Sequence, residues 1–324
     1  MRYWSLHFQH QRSLFIEQKM CSSPLIRKVI IIGAGGHLGP HLVSAFDTDP
    51  HFQVSILSRA SSDCSRFPSH IPSYCVGENY DTSESELVEL LRGQDAIISA
   101  IAAQAVQQQK TIINAALKAG VKYFVPSEFG HDTRNEQLAQ LLPPFLVTQK
   151  RQIVEYLQSK EVEGLKWTAF VTGPFFEIAV PHFLGFDFRS RHATILDGHE
   201  NHHWSTTTLS TTALAVKNAL LEPIKATNTY LFIESFNVSQ NGILSALGRL
   251  TGRWDESYQN AEEEKRRALE ELSQGNFSGL PTLMRYVTCV EGCGGDYMNY
   301  EASANGLLSL PEERLESALQ KLLE

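Results

Sequence analysis

The chain has 324 residues and a formal net charge of −8, with 42% hydrophobic and 20% charged residues. This composition is ordinary for a globular protein, and the negative charge argues against nucleic acid or an anionic membrane as a main partner. No apolar run reaches the roughly 18 residues that a membrane span requires. The five cysteines are odd in number and mostly scattered, so we predict neither a disulfide framework nor a bound metal. We therefore expect a cytoplasmic protein.

Residues 1–24 precede the first predicted strand and are left out of the fold prediction. Their charged side chains are mainly basic, with Arg2, Arg12 and Lys19 among apolar residues, which is also compatible with a targeting segment. Because Met20 stands just ahead of the first strand, we interpret this stretch as a disordered or mis-assigned N-terminal extension.

The strongest local pattern begins with Val29-Ile30-Ile31-Ile32, four β-branched residues that predict a strand buried on both faces. A glycine-rich turn follows, and apolar residues at helical spacing continue to about Asp47. Strand, glycine turn and helix in this order bring backbone N–H groups and a positive helix end to a phosphate. This is the dinucleotide-binding fingerprint, although a glycine turn of another α/β protein is the alternative. The predicted cofactor contacts in the turn are Gly33, Gly35, Gly36, His37, Leu38 and Gly39.

The second predicted strand, residues 52–59, ends in Ser58 and Arg59. In a dinucleotide-binding fold this strand end lies against the adenosine ribose, where an acidic residue would bind the 2′-hydroxyl of NAD. A guanidinium and hydroxyl groups suit a phosphate instead. We therefore predict NADPH rather than NADH as the cofactor. A solvated charge at a strand end is the alternative for Arg59.

The following residues repeat the strand–helix pattern. In chain order we predict a short strand at 74–76, a helix at 83–92 capped by Ser83, a strand at 95–100, a helix around 104–119 and a strand at 121–125. The small residues Ser99 and Ala100 would leave room for the adenosine part of the cofactor. The repeated βαβ units predict an α/β fold with a doubly wound parallel sheet, the NAD(P)-binding Rossmann fold. We assign it to residues 25–172, interleaved with a smaller C-terminal α+β substrate lobe at 173–324.

Three motifs together carry a family resemblance. They are Gly33-Ala34-Gly35-Gly36-His37-Leu38-Gly39, Gly93-Gln94-Asp95-Ala96-Ile97-Ile98-Ser99, and the segment 119–130 that ends in Pro126-Ser127-Glu128-Phe129-Gly130. In this order they resemble the isoflavone reductase-like branch of the NmrA-like, atypical short-chain dehydrogenase families. Segments 172–176 and 204–208 resemble the fungal members. The resemblance implies an NADPH-dependent oxidoreductase with a catalytic lysine at Lys150.

Two lysines compete for the catalytic role. Tyr156 and Lys160 match the Tyr-x3-Lys pattern of ordinary short-chain dehydrogenases, whereas Lys150 matches the lysine of isoflavone reductase-like enzymes. At about 100° per residue, Lys150 leads the apolar stripe of its helix, while Tyr156 and Lys160 lie on the shoulder. A charge on a buried face is costly without a role. We therefore predict Lys150 as the catalytic residue and as a cofactor contact, with a lysine that snorkels to solvent as the alternative.

Further candidate residues surround the carboxyl end of the strand at 121–125, where open α/β sheets bind ligands. We expect Ser127 to orient the nicotinamide or the substrate, and Glu128 to contact the substrate or only to cap nearby backbone. Phe129 belongs to the same predicted substrate site. An aromatic-rich segment suits a flat or apolar substrate and adds the predicted substrate contacts Gly173, Pro174, Phe175 and Phe176.

Histidines supply weaker candidates. His131 and Asp132 form a pair that suggests acid–base chemistry, but the isoflavone reductase-like pattern uses no histidine there. The cluster of His199, His202 and His203 has no metal-ligand spacing with Asp or Cys, so we interpret it as a surface loop.

Four further helices are predicted near 209–221, 239–250, 258–273 and 311–323. From all these features we predict an NADPH-dependent reductase of a small aromatic or secondary-metabolite-like substrate, with Lys150 as general acid or base. We expect a monomer or homodimer. A non-enzymatic NADP-sensing regulator and a non-redox isomerase or rearrangement enzyme on the same scaffold remain as alternatives.

Overall fold

A computed structural model describes residues 25–63, 65–81 and 84–324. The N-terminal extension at 1–24 and the predicted helix cap Ser83 lie outside the described residues.

The described strands are β1 (Lys28–Ile32), β2 (Gln53–Arg59), β3 (Ser73–Val76), β4 (Ala96–Ser99), β5 (Tyr123–Val125), β6 (Lys166–Val171), β7 (Phe186–Asp187), β8 (His192–Asp197), β9 (Trp204–Thr206), β10 (Thr229–Phe232), β11 (Phe236–Val238) and β12 (Asp255–Asn260). The described α-helices are α1 (Gly39–Asp47), α2 (Glu84–Leu91), α3 (Gln109–Ala119), α4 (Glu136–Leu141), α5 (Thr148–Ser159), α6 (Phe176–His182), α7 (Leu209–Leu221), α8 (Gln240–Thr251), α9 (Ala261–Ser273), α10 (Leu280–Cys289) and α11 (Leu315–Leu323).

Seven strands form one parallel sheet in the order β10-β6-β5-β4-β1-β2-β3. The central strand β1 pairs with β2 and β4, so that Ile31 lies opposite Ile56 on one side and Ile98 on the other. The order reverses between β1 and β4, which is where ligands bind in open α/β sheets. The predicted α/β fold with a doubly wound parallel sheet is confirmed.

The side chains of β1 alternate between two hydrophobic cores. Val29 and Ile31 belong to the core that also contains apolar residues of α1 and α7. Ile30 and Ile32 belong to the core on the opposite face, with residues of α3 and α5. All four side chains are fully buried, and each such burial stabilises the fold by about 1.5–3 kcal/mol. Helices on both faces therefore explain why this strand has no polar side.

The C-terminal residues form a smaller α+β unit and also return to the main sheet. A three-stranded sheet joins β8 to β7 and β12, and a separate pair joins β9 to β11. Their core includes Phe176, Trp204, Leu247 and Tyr286. The exception is β10, which pairs in parallel with β6 at the edge of the main sheet. The chain therefore returns to the main sheet after residue 173.

Three predicted helices differ from the observed ones. The helix expected around 104–119 begins as a 3-10 helix at Ala103–Gln108 and is α-helical only from Gln109, a change that alanine and glutamine do not mark because both favour helices. The helix expected at 258–273 begins at Ala261, because the preceding residues pair with β8 as β12 and Asn260 caps the helix by accepting from the Glu263 N–H.

The closing helix also begins later than expected, at Leu315 rather than at Pro311. The reason lies in Glu313, whose Oε1 accepts hydrogen bonds from the hydroxyls of Thr208 at 2.8 Å, Thr211 at 2.6 Å and Ser235 at 2.5 Å. These bonds hold the segment against the start of α7, so it cannot wind into a helix there.

Replacement of Glu313 by Gln is expected to lower the free energy of unfolding by about 1–3 kcal/mol. A neutral amide oxygen takes the place of a carboxylate oxygen that three hydroxyls share, and the amide N–H2 brings donors to a site already filled with donors. Urea denaturation measures the difference. The matched control is Glu312→Gln at the exposed neighbouring position, and an equal effect of both substitutions would contradict this account.

Within the described residues, no helix combines the length and the apolar character needed to cross a membrane.

Candidate active site

The carboxyl ends of five parallel strands meet at one edge of the main sheet. The loops that follow β1, β2, β4, β5 and β6 begin at Gly33, Ala60, Ala100, Pro126 and Thr172. Because these strands are parallel and adjacent, the predicted glycine turn, the arginine at the end of β2 and the Ser127 segment are neighbours in space. This edge carries the candidate site.

The glycine turn has a geometry that side chains would destroy. Gly33 has φ +85°, and a Cβ there would lie 2.5 Å from the Ala100 carbonyl oxygen. A Cβ on Gly39 would lie 2.1 Å from the carbonyl oxygen of Ala34. Glycine at both positions lets the turn close against β4 and lets α1 start directly behind it. Gly35 and Gly36 are exposed, so their backbone is open to a ligand.

A cleft of about 420 Å³ lies over this turn. Of the predicted cofactor contacts, it is lined by Gly33, Gly35, Gly36, Ser58, Arg59 and Ala100. His37 is exposed outside the lining, and Leu38 and Gly39 are buried behind the turn. Ser99 is fully buried, with its hydroxyl lacking a hydrogen-bond partner among the described residues, so Ala100 rather than Ser99 faces the cleft.

Arg66 is a residue of this cleft that the sequence interpretation missed. Its guanidinium donates to the Ala34 carbonyl oxygen at 3.2 Å and lies 5.1 Å from the centre of the Phe67 ring. The signal in the sequence is a second arginine seven residues after Arg59 in a serine-rich loop. Among the described residues that line the cleft, Arg59 and Arg66 supply two guanidinium groups and Asp63 supplies one carboxylate.

A second, smaller cavity of about 180 Å³ lies beside the Ser127 segment. Most of its lining is apolar, from Phe129, Leu138, Leu142, Leu146, Val147, Pro174, Phe175, Ile178, Phe183 and Met284. Its polar side chains are those of His131, Asp132 and Lys150. The predicted substrate residues Phe129, Gly173, Pro174 and Phe175 line this cavity. Phe176 does not, because its ring is fully buried in the C-terminal core against Phe236.

Lys150 reaches this cavity from α5. Its Nζ donates to the Glu128 carbonyl oxygen at 2.6 Å, and burial lowers the pKa of Lys150 against the opposing effect of the Glu128 carboxylate. Tyr156 and Lys160 of the same helix do not line the cavity: the Tyr156 hydroxyl donates to Asn114 and the Lys160 ammonium pairs with Glu163. Of the two competing lysines, Lys150 is thus the one at the cavity.

Ser127 is buried and lines neither cavity, but it bonds residues close to both. Its hydroxyl donates to the Ile101 carbonyl oxygen at 2.8 Å, and its N–H donates to the Gln109 side chain at 2.9 Å. Ile101 lines the cleft over the glycine turn, and Phe129, two residues beyond Ser127, lines the apolar cavity. Both bonds fix the position of Ser127, and its hydroxyl proton is used in the bond to Ile101.

Glu128 is buried behind the apolar cavity instead of lining it. Its Oε2 accepts from the Thr133 hydroxyl at 2.7 Å. Burial raises the pKa of Glu128 to about 7, against the opposing effects of Lys150 and Thr133. The carboxyl group is therefore a buried partner of the Lys150 charge and has no direct path to a ligand.

The raised pKa of Glu128 predicts a pH-dependent stability that Glu128→Gln removes. The pKa of a glutamate in an unfolded chain is about 4.3, so the folded protein binds this proton more tightly than the unfolded chain. The stability that Glu128 contributes is present below that value and is lost as the pH rises through about 7. Between about pH 5 and about pH 8, the Gln variant should lose less unfolding free energy than the wild type. Urea denaturation at several pH values measures this, with the exposed Glu86→Gln as control.

His131 lies at the wall of the apolar cavity. Its Nε2 is 3.2 Å from the Thr288 hydroxyl of α10, and burial together with the nearby Lys150 charge lowers the pKa of His131 to about 4. Asp132 is not its partner, because both Asp132 oxygens accept from the Arg134 guanidinium at 2.9 Å. The sequence neighbours His131 and Asp132 therefore do not form an acid–base pair.

The second group of candidate histidines lines a different cavity from that of His131. His199, His202 and His203 line a polar cavity of about 790 Å³ with Glu291, Asp296 and Tyr300. Across residues 25–63, 65–81 and 84–324, no three His, Cys, Asp or Glu side chains are arranged to hold a metal ion.

Comparisons with known proteins agree on one family and one fold. The model of the NmrA-like family matches residues 26–274. Oxidoreductase aprR of Aspergillus flavus is 53% identical over 298 residues, covering 92% of this chain and 99% of that protein. The crystal structure of isoflavone reductase has a TM-score of 0.71 at 20% identity, covering 91% of this chain and 99% of that one.

A structure of AtPrR2 with NADP+ and (+)pinoresinol has a TM-score of 0.73 at 19% identity, covering 93% of this chain and 100% of that one. These structures share the Rossmann-type fold described above. The predicted resemblance of this chain to the NmrA-like family is thereby confirmed. The family match extends over most of the chain and includes the glycine turn and Lys150, whereas Met284 of the apolar cavity lies outside it. This chain belongs to the NmrA-like family.

Proposed function

We propose that this protein is an NADPH-dependent oxidoreductase that reduces a small aromatic or secondary-metabolite-like substrate, with Lys150 as general acid or base. The observation that carries the proposal is the Lys150 ammonium at an apolar cavity beside the Ser127 segment, where the Ser127 hydroxyl bonds Ile101 of the glycine-turn cleft. The names of the relatives support it, since aprR is described as an oxidoreductase and AtPrR2 was seen with NADP+.

The residues of the cleft fit NADPH. Gly35 and Gly36 expose backbone at the start of α1, where a diphosphate would be held. Arg59 at the end of β2 would hold the 2′-phosphate, with Ser58 beside it, and Arg66 at the Ala34 carbonyl would face the diphosphate. When bound, NADPH supplies a hydride. The Arg59 guanidinium would favour a cofactor that carries the extra phosphate charge.

The residues that line the apolar cavity, together with Glu128 behind it, would assist reduction in three ways. Lys150 would hold a proton at Nζ, 2.6 Å from the Glu128 carbonyl oxygen, for a substrate oxygen that gains negative charge. The Leu138, Leu142 and Leu146 side chains exclude water, which strengthens that electrostatic interaction. Glu128 balances the ammonium charge from behind the cavity and remains out of contact with the substrate.

Two measurements on the wild-type protein test this proposal. Thermal unfolding should shift upward with NADPH more than with NADH, and incubation with aromatic carbonyl compounds should consume NADPH, which the loss of reduced-nicotinamide absorbance reports. Conversion of a compound without NADPH consumption would overturn the proposal in favour of a non-redox enzyme. NADPH binding without turnover of any compound in a broad panel would overturn it in favour of a sensor.

A further inference from the structure

The polar lining of the apolar cavity contains one group that the proposed reduction does not use, the imidazole of His131. Lys150 approaches from α5, whereas His131 follows β5 and is held by Thr288 from α10. The Asp132 carboxylate, the third polar side chain of the lining, is charged and accepts from the Arg134 guanidinium at both oxygens. His131 is therefore the neutral polar group available to a ligand in this cavity.

The hydrogen bonds of Thr288 determine the tautomer of His131. The Thr288 hydroxyl is 2.7 Å from the Met284 carbonyl oxygen, to which it must donate because a carbonyl only accepts. Its single proton is thus used, and its oxygen can only accept from His131 Nε2 at 3.2 Å. The proton of the ring therefore lies on Nε2, and Nδ1 carries a lone pair. Among the described residues, no hydrogen-bond donor reaches Nδ1.

The lowered pKa keeps this arrangement at neutral pH. Burial, with the Lys150 charge, lowers the pKa of His131 to about 4, so the ring remains neutral and Nδ1 remains an acceptor. An acceptor in an apolar cavity costs free energy if it has no partner. A ligand that donates a hydrogen bond at this point removes that cost, and one that cannot donate does not.

The cavity volume limits the part of the ligand that enters. At about 180 Å³, it is comparable with engineered apolar cavities of roughly 150 Å³ that bind benzene. It accommodates one six-membered ring with a small substituent, and the lining by leucine, phenylalanine and methionine side chains suits that ring.

We propose that Nδ1 of His131 accepts a hydrogen bond from a hydroxyl or N–H group on the ring that occupies this cavity, and that His131 thereby selects donor-bearing rings. The inference rests on the proposed function, because it concerns the same cavity, and it names the class of ligand. His131 is a specificity residue in this scheme, and Lys150 remains the group at the reacting oxygen.

Phenol and fluorobenzene test this selection, because they are close in size and only phenol donates a hydrogen bond. Their dissociation constants are measured by ligand-observed NMR with the NADPH-saturated protein. The readout is the ratio of the fluorobenzene constant to the phenol constant, compared between wild type and variant, so that the difference in hydration of the two probes cancels. A net hydrogen bond of about 0.5–1.5 kcal/mol corresponds to a change in this ratio of about 2- to 12-fold.

His131→Leu removes the acceptor and should lower the ratio by that factor. His131→Asn, whose amide lies near the position of Nδ1, should retain most of the preference and guards against a general loss of cavity structure. Lys150→Met should leave the ratio unchanged, although the proposed function requires it to lose turnover. NADPH binding by every variant verifies the fold.

An unchanged ratio in His131→Leu would overturn the inference. If the preference for phenol were lost in Lys150→Met and kept in His131→Leu, phenol recognition would belong to the lysine and the inference would also be wrong. Failure of both probes to bind the wild type would also overturn it. Failure of the proposed function gives a different result, since wild-type phenol selection would persist without NADPH consumption.

Discussion

Lys150→Met is expected to reduce turnover by about 10²- to 10⁴-fold, the range for loss of a positioned proton donor, while NADPH binding persists. Methionine is an unbranched side chain of similar length, so it fills nearly the same space. The substitution therefore removes mainly the positive charge and the proton of Lys150. The Nζ of Lys150 is the group that the substrate oxygen would meet in the apolar cavity. Steady-state rates of NADPH oxidation and NADPH titrations measure the two effects separately.

The control for this substitution lies on the same helix. Lys160 pairs with Glu163 outside the cavity, so Lys160→Met should leave turnover and NADPH affinity unchanged. Equal losses in both variants would mean that a lysine on α5 matters only for the fold. Unchanged turnover in Lys150→Met would remove Lys150 from the reaction.

The pH profile gives the Lys150 assignment a further readout. Because burial lowers the pKa of Lys150, its proton is lost at a lower pH than that of an exposed lysine. If Lys150 acts as the acid, the rate should be highest below its pKa and should fall as the pH rises through it. This alkaline decrease should be missing from the residual rate of Lys150→Met.

Arg59→Ala is expected to weaken NADPH binding by about 10- to 150-fold, the equivalent of about 1.5–3 kcal/mol for hydrogen bonds to a charged group. NADH binding should remain unchanged, because NADH has no 2′-phosphate for Arg59 to meet at the end of β2. The preference for NADPH over NADH would then fall by the same factor. Isothermal titration with both cofactors measures the change.

A substitution at Arg66 gives a useful comparison with Arg59→Ala, because the two arginines would contact different parts of the cofactor. Its guanidinium bonds the Ala34 carbonyl in the glycine turn, next to the region expected for the diphosphate that both cofactors contain. Arg66→Ala should therefore weaken NADPH and NADH alike. Arg92→Ala, at an exposed arginine that pairs with Glu89 outside the cleft, serves as the control. Tighter binding of NADH than of NADPH by the wild type would contradict the role given to Arg59.

Much of the fold could be predicted because the deciding patterns are local. Four consecutive β-branched residues in β1 indicated burial on both faces, and the two cores on either side of the sheet account for it. The glycine turn could be predicted as well, because a Cβ on Gly33 or Gly39 would collide with backbone atoms. The position of Lys150 on the apolar face of α5 followed from the helical period alone.

Other features could not be predicted, because they depend on residues distant in sequence. The hydrogen-bond partner of His131 is Thr288, 157 residues away in the sequence, and no local pattern predicts that contact. The late start of α11 has the same cause, since Glu313 bonds hydroxyls that are 78 to 105 residues away. The separation of Phe175 from Phe176 also required the structure, which turns one ring to the cavity and the other to the core.

The sequence by itself therefore determined the parallel sheet, the glycine turn, the basic end of β2 and the buried face that carries Lys150. Each of these depends on hydrophobic periodicity, backbone sterics or charge within a few neighbouring residues. The tertiary structure alone decided that Arg66 joins the cleft, that Glu128 lies behind the cavity and that His131 lines this cavity with Thr288 as its partner. These three features depend on which loops the sheet brings together. Hydrogen bonds between distant segments, such as the one between His131 and Thr288, form only once the chain is folded.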